Sequence, residues 1–134
     1  MNPNYPLVAE QAGHRCEYCH APEAAFNLAF EVEHILPRSK GGADDESNWA
    51  LACRRCNLRK HDFIDGIDPV TQEKAPLFHP RRDSWQDHFE IQRAEPFLIK
   101  GKTATGRTTI ERLDMNAEEQ LEARAQWNKL ELFP

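Results

Sequence analysis

A chain of 134 residues is long enough for one folded domain and short for two. With 40% hydrophobic and 29% charged residues, the composition excludes a disordered tail, and no apolar run approaches the roughly 20 residues of a membrane span. The net charge of −5 argues against a uniformly basic nucleic-acid binder, but Arg54, Arg55, Arg59 and Lys60 cluster, with Arg38 and Lys40 just upstream, so a local cationic face remains possible.

In chain order, the N-terminus has no basic stretch followed by an apolar core, so no secretory signal is expected and the chain reads as cytoplasmic. Residues 4–13 read as a short helix closed by Gly13. Cys16 to Cys19 form a tight turn. Residues 26–35 read as a strand ended by Pro37, and 39–47, with Gly41-Gly42 and three acids, as a loop. Residues 49–52 read as a second strand and 54–63 as a helix. A long connection is expected over 65–83, with Pro69, Pro76 and Pro80. Strands are expected at 88–93, 96–100 and 107–112, then an amphipathic helix over 115–132 with a loosely defined apolar stripe. Trp85 and Phe89 are expected to pack this C-terminal part onto what precedes it.

Two Cys-x-x-Cys pairs, Cys16/Cys19 and Cys53/Cys56, can present four thiolates to one zinc. In a reducing compartment paired cysteines are better read as metal ligands than as disulfides. A redox dithiol needs only one pair and a different surrounding pattern. The 33 residues between the pairs must form a substructure of their own. Inside or just after it lie Glu33-His34, Asn48 and Asn57. Neighbours on a strand point to opposite faces, so Glu33 can hold a metal while His34 serves the other side of a reacting phosphodiester as general base. Asn57 and His61, four apart on a helix, share one face and complete a candidate ligand set with Glu33. Carboxylate and amide oxygens suit Mg²⁺ or Mn²⁺, and the imidazole of His61 admits Co²⁺ or Ni²⁺. Asn48 can bond the backbone of its loop and so orient His34.

The order Cys-x-Tyr-Cys, Glu-His-Ile-x-Pro-x-Ser-x-Gly-Gly, Asn-Trp, Cys-x-x-Cys-Asn-x-x-Lys resembles the HNH endonucleases, in their cysteine-containing branch, over about residues 10–63. The spacings of 14 and 9 residues between His34, Asn48 and Asn57 occur also in the HNH domain of CRISPR effector nucleases. His61 falls where colicin-type nucleases place a further metal-binding histidine. Glu33 stands where Asp is commoner, and Asn57 where the family's name has His. The resemblance implies a ββα-metal fold, Glu33 and Asn57 as metal ligands, His34 as general base and Asn48 as the structural asparagine.

The expectation is therefore an α+β protein: a zinc-stapled ββα-metal core over residues 1–66, with a C-terminal antiparallel sheet and helix extension over 67–134 packed on it. Its expected activity is metal-dependent hydrolysis of DNA, double-stranded and cut one strand at a time. Arg38, Lys40, Arg54, Arg55, Arg59 and Lys60 are the candidate phosphate contacts. The alternatives are a non-catalytic zinc module, which would not need Glu33, His34 and Asn57 together, and an RNA-cleaving nuclease.

Overall fold

The structure, a computed structural model, describes residues 1–134. Helix α1 (Tyr5–Gln11), with Pro6 in its first turn, where a missing N–H costs nothing, buries Val8 and Ala9. The chain then turns through Cys16–Cys19 and a 3₁₀ turn at Glu23–Ala25 into β1 (Glu31–His34). Strand β1 is shorter than the expected 26–35. Phe26 and Leu28 stay outside the ladder because Glu23 takes the Phe30 N–H at 2.7 Å, diverting that stretch from strand pairing. Strand β2 (Trp49–Ala52) pairs antiparallel with β1, setting Glu33 opposite Ala50 and His34 opposite Trp49. Every residue of β2 is buried, and it leads directly into α2 (Arg54–Lys60), N-capped by Cys53. Hairpin and helix form the ββα unit.

The expected long connection over 65–83 instead holds a second hairpin, β3 (Asp65–Ile67) with β4 (Lys74–Pro76). Its loop is organised by Asp68, which is fully buried and accepts from Val70 N, Thr71 Oγ1 and, bidentately, Arg107 at 3.0 and 2.8 Å. A four-residue turn, α3 (Trp85–His88), leads to a third hairpin, β5 (Phe89–Ile91) with β6 (Ile99–Gly101), close to two of the strands expected.

Residues 107–112, expected as a strand, lie in helix α4 (Ala104–Leu113). The run Thr108-Thr109-Ile110 is β-branched, but propensity is a weak prior. Thr103 caps the helix by accepting from Gly106 N, and Thr109 Oγ1 bonds Thr105 O at 2.6 Å and receives Phe78 N at 2.9 Å. Gly106 is required where it is: a Cβ there would sit 2.1 Å from His88 O. Helix α5 (Glu118–Lys129) closes the chain, burying Arg124 and Trp127. One cluster of 23 buried residues runs from Val8 to Phe133, so the core is not divided between the ββα unit and the extension. The mixture of helices with small antiparallel sheets is the α+β architecture expected. No helix is long and apolar enough to cross a membrane.

Candidate active site and thiol centre

The four cysteines are free thiols, all buried, and their Sγ atoms lie within 4.8 Å of one another. Cys19 Sγ and Cys53 Sγ are 3.8 Å apart. A tetrahedral zinc with bonds of about 2.3 Å has sulfur–sulfur edges of about 3.8 Å. The donor set and its spacing therefore fit a structural zinc. The turn at Cys53 is formed for it: Cys56 N donates to Cys53 Sγ at 3.4 Å, and Cys56 follows on the first turn of α2.

Glu33, His34, Arg38, Asn57 and His61 line one shallow cleft of about 390 Å³ between the first hairpin and α2. The larger hollow of about 560 Å³ lies behind the β1–β2 connection, against Phe78, His79 and His88, and contains none of Glu33, His34, Asn57 and His61. His34 is partly exposed, and its Nε2 lies 2.8 Å from Asp44 Oδ1. Asp44 also accepts from Trp49 Nε1 at 3.1 Å and lies 3.7 Å from Arg38. The hydrogen bonds from His34 and Trp49 hold its carboxyl below the ordinary carboxylate range. Against an ionised acceptor, Nε2 carries the proton and Nδ1 keeps the lone pair. Asp44 was absent from the expected site because it stands in an acidic loop run that reads as solvated. Its place ten residues after His34, just past Gly41-Gly42, was the available signal.

Glu33 borders the same cleft but is itself buried. One carboxylate oxygen accepts from the Tyr18 hydroxyl, and the other lies 3.3 Å from Lys60 Nζ. Burial pushes its pKa up, against the opposing pull of Lys60 and Tyr18. Asn57 sits one residue past Cys56 with an uncommitted carboxamide. His61 closes α2 with a positive φ of 52° and is well exposed. Its Nδ1 is 2.7 Å from Asp62 Oδ1, and the residue borders the cleft. Asn48 makes three bonds: it accepts from Leu36 N at 2.8 Å and donates to Leu36 O at 2.9 Å and Ala43 O at 2.8 Å.

The expected cationic face divides. Arg38 and Arg54 are exposed and only loosely paired, Arg54 with Glu31 at 3.7 Å. Lys40 bonds Asp62 O at 2.6 Å. Arg55 is bound to Asp114 and Glu119, and Arg59 lies 3.6 Å from Asp114, so these two tie α2 to the extension. Lys60 does not belong to a surface face at all. It is 1% exposed, with its ammonium on Ile35 O at 2.8 Å and beside Glu33. A buried ammonium needs such partners, and its burial keeps it from a phosphate backbone. As expected, Trp85 and Phe89 pack. Trp85 stacks on His20, and Phe89 is buried against Phe78. Arg81 does the same, joining Glu17 and Trp49 O.

Residues 16–63 match the family model described as HNH endonuclease. Over 118 residues the chain is 28% identical to the Septu protein PtuB of Bacillus thuringiensis, an alignment covering 85% of this chain and 41% of that protein. The chain thus spans about two fifths of the length of this curated relative. No solved structure matches. The matched segment holds all four thiols, the β1–β2 hairpin and α2, and residues 16–63 are accordingly a domain of the HNH endonuclease family.

Proposed function

We propose that the protein is a metal-dependent endonuclease that hydrolyses DNA phosphodiesters, nicking one strand of a duplex at each encounter. The observation that carries this reading is the convergence of Glu33, His34, Asn57 and His61 on one cleft, although they lie on a strand, a helix and a helix end. His34 is suited to take a proton from water at Nδ1. Asp44, held by Trp49, orients the ring. Glu33, Asn57 and His61 would hold Mg²⁺ or Mn²⁺, with Co²⁺ or Ni²⁺ admitted by the imidazole. Such an ion, when bound, supplies charge stabilisation to the phosphoryl and leaving oxygens. Arg38, Lys40 and Arg54, with Arg59 in a lesser part, position the phosphate backbone beside the cleft. Asn48 fixes the loop that presents Asp44. Reduced thiols suit zinc loading in the cytoplasm.

The test is cleavage of supercoiled plasmid across a metal series, with an RNA substrate in parallel. Open-circle product with Mg²⁺ or Mn²⁺, abolished by EDTA, is expected. His34→Ala should lose about 10²–10⁴-fold in rate. Full activity in His34→Ala removes the assignment of the base. Cleavage of RNA alone moves the substrate, and no cleavage of either favours a binding module.

A further inference from the structure

Tyr18 lies inside the Cys16–Cys19 turn, next to Cys19, and is fully buried. A buried phenol must spend its hydrogen on an acceptor. Here the acceptor is Glu33. The residue is held by the C-terminal extension: its ring meets the Phe78 ring edge-on, with centroids 6.4 Å apart, and its backbone carbonyl accepts from Trp85 Nε1 at 2.8 Å. Lys60, anchored on Ile35 O, holds the second oxygen of Glu33. The thiol centre, the extension and the cleft therefore meet at one residue. Each carboxylate oxygen has a further lone pair, so these bonds orient the group and still leave it able to bind a cation.

We propose that Tyr18 is a positioning residue for the catalytic metal. Its hydroxyl fixes Glu33 and so sets the affinity of the cleft for a divalent cation. It also makes that affinity depend on the Cys16–Cys19 turn and on the wall formed by Phe78 and Trp85. The inference rests on the reading of Glu33 as a metal ligand.

The test uses the zinc-loaded full chain and measures Mn²⁺ binding by the loss of the free-ion paramagnetic resonance signal, in the parent, Tyr18→Phe, Glu33→Gln and the double variant. Tyr18→Phe keeps the ring and its packing. It should weaken Mn²⁺ binding about tenfold or more, the range for partners that orient a ligand, with zinc content unchanged. In the Glu33→Gln background it should add nothing, because its effect passes through that carboxylate. An unchanged dissociation constant in Tyr18→Phe, or an additive loss in the double variant, overturns the proposal while leaving Glu33 as ligand. A Glu33→Gln variant that binds Mn²⁺ like the parent overturns the ligand reading and the proposal with it. A measurement that needs no variant uses 3-fluorotyrosine, since the chain has two tyrosines. Mg²⁺ should shift the fluorine resonance of Tyr18 and leave that of Tyr5, which is bonded to Glu23 instead. A stationary Tyr18 resonance at saturating metal overturns the proposal.

Discussion

Replacing Asn48 by alanine tests what holds the cleft in shape. The side chain is almost fully buried and spends both ends of its amide on the β1–β2 connection, through Leu36 N, Leu36 O and Ala43 O. Gly42 packs close against this amide: a Cβ there would stand 2.9 Å from Asn48 Nδ2 and 1.8 Å from Leu36 O. Each intramolecular bond contributes about 0.5–1.5 kcal/mol net, which places the loss of three at about 2–4 kcal/mol. That is a large share of the roughly 5–15 kcal/mol by which domains are stable. With a urea slope of about 2 kcal/mol per molar, the middle of the range for small domains, the unfolding midpoint of Asn48→Ala should fall by roughly 1–2 M. Asn48→Asp keeps an acceptor for Leu36 N but turns a buried carboxylate oxygen toward Leu36 O and Ala43 O, so its midpoint should lie no higher than that of Asn48→Ala. Plasmid nicking should fall as well at temperatures where the variant is folded, because Asp44, the partner of His34, follows directly on the stitched Ala43. A midpoint within about 0.3 M of the parent, at the same slope, would show that these bonds do not hold the loop.

Other outcomes follow from the same geometry. Cys53→Ser should lose the bound zinc and the cooperative melt together, since a closed thiolate site binds with folding; zinc content and calorimetry decide this, and an unchanged melt in metal-free protein refutes it. Asp68, buried against Arg107, has its carboxyl held well below its ordinary pKa, first by the hydrogen bonds from Arg107. A lowered folded-state pKa stabilises above the unfolded value near 4 and stops doing so as pH falls through the folded value. The gap in urea midpoint between parent and Asp68→Asn should therefore be full at pH 6 and close below about pH 4, and a gap independent of pH refutes the linkage. His61→Ala should weaken Mn²⁺ binding about tenfold while excess metal restores part of the rate, which it should not do for His34→Ala; an unchanged metal titration leaves His61 an exposed helix end.

The first hairpin and α2 were legible because the site motif punctuates them: Pro37 ends one strand, Asn48 precedes the other, and Cys53 caps the helix. The extension was less legible because its elements are fixed from a distance. Strands β3 and β4 have three residues each, too few for a pattern, and their loop is held by Arg107, 39 positions beyond Asp68. Helix α4 carries a β-branched run, and what overrides it is the Thr103 cap and the bond from Phe78 N to Thr109, neither of which shows in periodicity. Lys60 stands in a basic run and so reads as a surface residue. Only the strand that brings Glu33 to it accounts for its burial.

Helix α2 is seven residues long and serves both centres. Cys53 and Cys56 face the thiol cluster, Asn57 and His61 the cleft, and Lys60 the buried side of Glu33. One residue added or deleted between Cys56 and Asn57 rotates everything downstream by about 100°, which would carry Asn57 and Lys60 off their targets while leaving the cysteines in place. The segment from Cys53 to His61 therefore has no freedom of length. The exposed tips at 24–28 and 69–73 lie outside both centres and can change length at less cost to the site. Divergence of this protein would accumulate by insertion in those connections, and by substitution alone in α2.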